Sequence, residues 1–207
     1  SKAIGLEAQK YGAPADRIHL VYSGLNLDFM PELDAHESQE KRVFKMISVG
    51  RPHWKKGYTY ALDACKLLKD SGFDFEYTII GGADAIEYQY QVHDLGLGNE
   101  VRLLGQQSFE TGQTMIKDVD LLLMPSVEEG IANVVLEAMA LGTLILSTDC
   151  GGMNEVIANS ENGFLVPIRD ARAIVDEVLR IQQLPMVETL AIRKRARTKI
   201  VEQHSEE

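Results

Sequence analysis

Two carboxylates and two cations carry most of the chemistry open to this sequence. Residues 131–146 hold one charged group, Glu137, amid Val134, Val135, Leu136, Ala138, Met139 and Leu141. A helix that is apolar nearly all round is a buried helix. A carboxylate there costs on the order of several kcal/mol unless it is paired or faces a polar cleft. No Lys or Arg lies within a helical turn of it, so Glu137 either meets tertiary partners or faces a ligand. Glu129 stands eight residues earlier, just before the helix, which puts Glu137 about 7–9 Å further along the axis. The amides of Ala132, Asn133 and Val134 at the helix start, led into by Gly130 and Ile131, would hold a diphosphate through the helix dipole and unsatisfied N–H groups. Flanking carboxylates can accept from hydroxyls, as in the ribose reading of nucleotide-binding sheets. That pattern fits a nucleotide carrying a second polyol.

The cations sit in Gly50-Arg51-Pro52-His53-Trp54-Lys55-Lys56-Gly57. Arg51 and Lys56 would neutralise a diphosphate from the opposite wall, the first as a fork and the second as a point charge. Gly50 lets the backbone approach closely, and Gly57 suits a turn into a helix. Lys55 reads as a solvated surface residue, Trp54 as a loop anchor, and His53 as a lone surface histidine that could also approach a phosphate. Gly151-Gly152 could frame a sugar through backbone N–H groups or could simply make a tight turn.

The elements that must position these groups follow from periodicity. Strands are expected at Val43–Val49, Phe75–Ile80, Val101–Leu104, Leu121–Met124, Leu144–Ser147 and Phe164–Val166. Helices are expected between them: one with Tyr58, Ala61, Leu62, Cys65 and Leu68 on its apolar face, then Asp84–Leu95, Glu110–Asp118, Ala132–Leu141, Asn154–Ile157 and Asp170–Ile181. A last helix should follow Pro185, over Val187–Gln203. Alternation of this kind predicts an α/β fold, doubly wound and Rossmann-like, with a mostly parallel sheet. Its ligand belongs at the carboxyl ends of the strands, where glycine-bearing junctions gather. Before this unit, Ile4–Tyr11 reads as a helix, Ile18–Tyr22 as a strand and Pro31–Arg42 as an acidic linker. The expected division is 1–40 as a crossover and linker segment, 41–185 as the Rossmann-like, ligand-binding domain and 186–207 as a terminal helix packing back toward a preceding domain.

Composition narrows the partners. The 207 residues carry 21 Lys plus Arg and 31 Asp plus Glu, a net charge of 21 − 31 = −10, which argues against bulk nucleic acid or an anionic membrane held by overall field. Cys65 and Cys150 fit no metal spacing, and no two of the five histidines do. A low cysteine count suits a reducing compartment, hence a cytoplasmic expectation. The run from Arg193 to Lys199 reads as a solvated basic face, with docking to a missing domain or to anionic lipid as alternatives. With no Met at its start and no signal peptide, the chain is expected to be a piece of a longer protein.

Glu129-Gly130-(x)6-Glu137-Ala138-Met139-Ala140-x-Gly142, then Thr148-Asp149-x-Gly151-Gly152-x-x-Glu155, joins Gly50-Arg51…Lys56-Gly57 and Asp120…Pro125-Ser126. This ordered set resembles the C-terminal donor-binding half of a GT-B glycosyltransferase of the retaining family 4, over about Ile18 to Gln203. The resemblance implies that Arg51 and Lys56 bind the donor diphosphate, that Glu137 takes the ribose and that Glu129 is the catalytic group at the transferred sugar. It implies a UDP-, GDP- or ADP-sugar, no cofactor and no metal, an absent N-terminal acceptor domain, and a fragment inactive alone. A peripheral contact of the full enzyme with the inner membrane face stays open. Departures include Ile131-Ala132 after Glu129-Gly130, Gly81-Gly82-Ala83 where Gly-Asp-Gly is common, Leu144 for a usual Pro, and Ser23-Gly24-Leu25-Asn26 for Asn-Gly-Val-Asp. They bear on which donor is used. A GT-B epimerase or hydrolase of sugar nucleotides, or a non-catalytic nucleotide-binding module, are the alternatives.

Overall fold

A computed structural model describes residues 1–25 and 43–204. Six strands form one sheet: β1 (Phe44–Val49), β2 (Phe75–Ile80), β3 (Val101–Leu104), β4 (Leu121–Met124), β5 (Leu144–Thr148) and β6 (Phe164–Val166). Their order is β3-β2-β1-β4-β5-β6, and every pairing is parallel. The helices are α1 (Lys2–Lys10), α2 (Tyr58–Asp70), α3 (Ile86–Asp94), α4 (Phe109–Lys117), α5 (Asn133–Leu141), α6 (Met153–Val156), α7 (Ala171–Gln182) and α8 (Met186–Gln203). The α/β, doubly wound fold is therefore as expected, with the sheet wholly parallel. The chain leaves β1 in one direction for β2 and β3 and returns to its other side for β4. A crevice between the ends of β1 and β4 is the topological consequence.

Burial on both faces explains the strand sequences. All four residues of β4 and all five of β5 are buried, which is why they read as continuous apolar runs. One core, with Tyr58, Leu62, Leu68, Tyr77 and Ile79, gathers α2 and α7 on one face. The other, with Ile47, Leu122, Val135, Leu136, Met139 and Ile200, gathers α5 and α8 on the opposite face. Every apolar position expected on α2 is buried.

The strand expected over Ile18–Tyr22 does not form among the described residues. Val21 is 83% exposed and Leu20 43%, so the run lacks an apolar surface to pack on and joins no ladder. The tip of this segment is held from elsewhere: the Leu25 N–H donates to His204 O at 2.7 Å, and the His204 ring donates from Nδ1 to Ser23 O at 3.0 Å. The acidic linker expected over Pro31–Arg42 lies outside the described residues.

The basic run of α8 is drawn inward more than a solvated face would be. Ile192, Ala196 and Ile200 bury one stripe of the helix. Beside that stripe, Arg193 donates to Gly142 O and Arg197 to Ala140 O, at the C-terminal end of α5. Arg195 donates to Glu161 O, and Lys199 donates to Glu155 O at 3.0 Å. Three of these cations thus serve carbonyls of the second core's face, and two of them sit where a helix dipole favours positive charge.

Candidate functional site

The loops after β1, β4 and β5 meet over the crevice, and their backbones interlock. Gly57 has φ 65°, and a Cβ there would overlap the carbonyl of Pro125. Gly151 has φ 56°, and its Cβ would overlap the carbonyl of Glu129. Only glycine adopts such conformations cheaply and leaves room for the neighbouring chain. Further ties are the Val127 N–H to Lys55 O at 2.7 Å and the Gly152 N–H to Gly130 O at 3.1 Å.

The loop after β1 runs from Gly50, whose N–H donates to Ile80 O at 3.0 Å, to a single helical turn at Trp54–Lys56. His53 caps that turn, its ring Nδ1 accepting from the Lys55 N–H at 3.2 Å. This is a structural task for His53. Arg51 is exposed, while Lys56 is half-buried. Lys56 Nζ donates to Glu129 Oε2 at 2.5 Å, with 24% and 23% of the two side chains accessible. Lys55 makes a more exposed pair with Glu128 at 2.7 Å. The residues placed on opposite walls of the site from their spacing therefore touch. Trp54 is 61% exposed, with Lys55 Nζ 5.7 Å from its ring centroid.

Past Glu129, the turn through Gly130 and Ile131 delivers the chain to α5. Its N-cap is Ala132, and no side chain caps it. The N–H groups of Asn133 and Val134 are first-turn donors of the kind an anion can take. Glu137 lies one turn further on, half-buried. Burial pushes its carboxyl above the usual range, partly offset by a hydrogen bond from Gln113 Nε2 to Oε2 at 3.0 Å. Among the described residues Gln113 is its one hydrogen-bond partner. The Oε1 of Gln113 is itself buried without a partner.

The loop after β5 leads into α6, which carries Glu155, a residue that spacing alone left without a role. Its carboxylate accepts from the N–H groups of Lys2 at 2.8 Å and Ala3 at 2.9 Å, and from the Tyr22 hydroxyl at 3.2 Å. Burial opposes its ionisation, but these donors outweigh burial and hold it below the usual range. Helix α1 is thereby clasped over the site's floor: Ile4 packs against Gly130 and Ser1 against Gly152. Neither Gln113 nor Glu155's clasp was readable beforehand, because both depend on pairings 24 and about 150 residues apart. No group of three or more metal-ligating side chains occurs among the described residues.

The all-parallel, doubly wound unit has the fold of GT-B glycosyltransferases. The model of the family described as "Glycosyl transferases group 1" matches residues 30–199, and the chain belongs to that family. It is 34% identical over 181 residues to an amylovoran biosynthesis glycosyltransferase, AmsK, of Erwinia amylovora, covering 83% of this chain and 44% of that protein. Among solved structures, HepE of Anabaena in complex with UDP-glucose superposes with a TM-score of 0.85 at 18% identity, over 99% of this chain and 58% of that one. The C-terminal domain of a group 1 family protein, LpcC, of Francisella tularensis superposes with a TM-score of 0.74 at 21% identity, over 89% of this chain and 100% of that one. The chain spans about half the length of the curated relatives it matches, 42–48% for the first three.

Proposed function

We propose that this chain is the C-terminal, donor-binding half of a retaining family-4 glycosyltransferase, and that it binds a nucleoside diphosphate sugar in the crevice between β1 and β4. One observation carries the reading: the Lys56–Glu129 pair, an uncapped α5 N-terminus and the singly bonded Glu137 carboxylate follow one another between residues 129 and 137 of the chain. The α5 amides, Arg51 and Lys56 receive the diphosphate, and Glu137 accepts from the ribose hydroxyls. Glu129 faces the sugar. In transfer, the bond between the anomeric carbon and the phosphate oxygen breaks and the diphosphate leaves with the electron pair. Cations and helix amides already in place stabilise that developing charge without a metal. The acceptor hydroxyl's oxygen replaces the diphosphate on the same face of the sugar and its proton passes to the departing phosphate oxygen, with the acceptor's wall supplied by a preceding N-terminal domain in the cytoplasm. The likeness to an isolated C-terminal domain and to a fold solved with UDP-glucose supports this reading.

Calorimetric titration with UDP, GDP and ADP tests it. One of the three should bind, and R51A and K56A should each weaken that binding by about ten- to a hundredfold while leaving the bare nucleoside little affected. Equal losses for nucleoside and diphosphate would show that the two cations support the fold alone. The chain by itself should transfer no sugar, and turnover onto an acceptor would refute the division into halves.

A further inference from the structure

Glu137, half-buried, is met by a neutral amide where a cation could have paired it. A Lys or Arg would neutralise the charge and occupy both oxygens. Gln113, reaching over from α4, takes only Oε2 and leaves Oε1 without a protein partner among the described residues. The amide is not an obvious packing choice, because its own Oε1 is stranded out of water with no donor. A leucine or methionine would fill the same space without that cost. The orientation is also specified: turned over, the amide would set a carbonyl oxygen against the carboxylate.

We propose that Gln113 is a positioning residue of the donor site, which holds the Glu137 side chain in one rotamer and keeps its charge and its second oxygen free for the ligand's hydroxyls. This rests on the reading of Glu137 given above and adds the residue that orients it. Among the described residues, the other elements packed on α5 supply no hydrogen-bond partner to Glu137. Strands β4 and β5 carry no ionisable side chain, and Glu137 is the one ionisable group of α5 itself. On α8, Arg193 and Arg197 are engaged with carbonyls at the far end of α5. On α4, Glu110 and Lys117 lie at the two ends of the helix.

The test is a double-mutant cycle of Q113L and E137Q, read by titration with UDP, or with GDP or ADP where that is the nucleotide the wild-type chain binds, and by carbon-13 NMR of the glutamate carboxyls without nucleotide. In Q113L the Glu137 carboxyl loses the donor that favours its charged form, so its titration midpoint should move up. UDP affinity should fall by about three- to tenfold, more at pH 6 than at pH 8. In the E137Q background, Q113L should cost nothing further. Q113N, which keeps the amide on a shorter stem, should lie between wild type and Q113L. A loss from Q113L that is equally large in the E137Q background, or a Glu137 midpoint that does not move, overturns the inference while leaving the donor reading intact. Failure of the wild-type chain to bind UDP, GDP or ADP overturns the donor reading and this inference with it.

Discussion

Replacing Glu129 by glutamine should strengthen the binding of a plain nucleoside diphosphate. Lys56 Nζ is held by Glu129 Oε2 at 2.5 Å, so a diphosphate must share or capture a cation already engaged. Two unit charges about 4 Å apart interact by about 4 kcal/mol at an effective permittivity of 20. Each side chain keeps close to a quarter of its surface in water, and pairs with that much solvent return far less, so a net of about 0.5–1.5 kcal/mol is reasonable. E129Q should therefore raise UDP affinity about two- to tenfold at low ionic strength, with the gain shrinking as salt screens the charges. In a K56A background the gain should be smaller, since only the repulsion between Glu129 and phosphate remains to be relieved. Titration calorimetry on the four proteins of this cycle, at two salt concentrations, measures all of it. A fall in UDP affinity on E129Q would refute the idea that Lys56 passes from carboxylate to phosphate. Discrimination between UDP and its sugars should weaken in the same variant, and in the full-length enzyme turnover should fall more than affinity.

Three further outcomes follow from the geometry. E137Q should lower nucleotide affinity by about 1–3 kcal/mol with a melting temperature level or higher. Because burial raises the folded-state pKa of Glu137, its penalty on stability is felt above that pKa and relieved as pH falls through it, so the mutant's advantage in thermal melts should vanish in acid. E155A should release α1, seen as faster hydrogen exchange at the Lys2 and Ala3 amides. As the carboxyl of Glu155 is held low, the wild-type clasp should persist above the ordinary carboxylate range and fade as pH drops through the folded value; unchanged exchange would show that α1 is held by other contacts. G57A should cost about 2–4 kcal/mol, a fall in Tm of about 5–15 °C. G72A, at φ 77° with open space around it, should cost only about 1 kcal/mol, and equal costs would refute the account of the interlocked backbone.

Much of the fold was legible because its signals are local. β2, β3, β4 and β6 begin and end where the apolar runs do, stopped by Gly81, Gly105, Pro125 and Pro167. Ile18–Tyr22 has an equally good strand composition, but a strand also needs a ladder and a surface to cover, which composition does not report. The candidate site was legible as positions along the chain: Arg51 and Lys56 fall between β1 and α2, Glu129 just before α5 and Glu137 within it. Its wiring was not. The partners of Lys56, Glu137 and Glu155 come from loops and helices brought alongside only by the order of strands, and no local periodicity encodes them. The cations of α8 show the same limit, since nothing in their own helix announces that their acceptors are 51 and 57 residues away.

Those cations give α5 two unlike ends. Its first turn is uncapped and open to an anion, while its last carbonyls are met by Arg193 and Arg197 from α8. The short rod is thus electrically terminated at the end away from the crevice and unterminated at the end that faces it. A chain cut at Pro185 would keep every residue assigned to the donor, yet it would strand the carbonyls of Ala140 and Gly142 and uncover Met139 and its neighbours in the second core. Where this protein is shortened, or spliced onto a foreign acceptor half, α8 has to travel with the crevice.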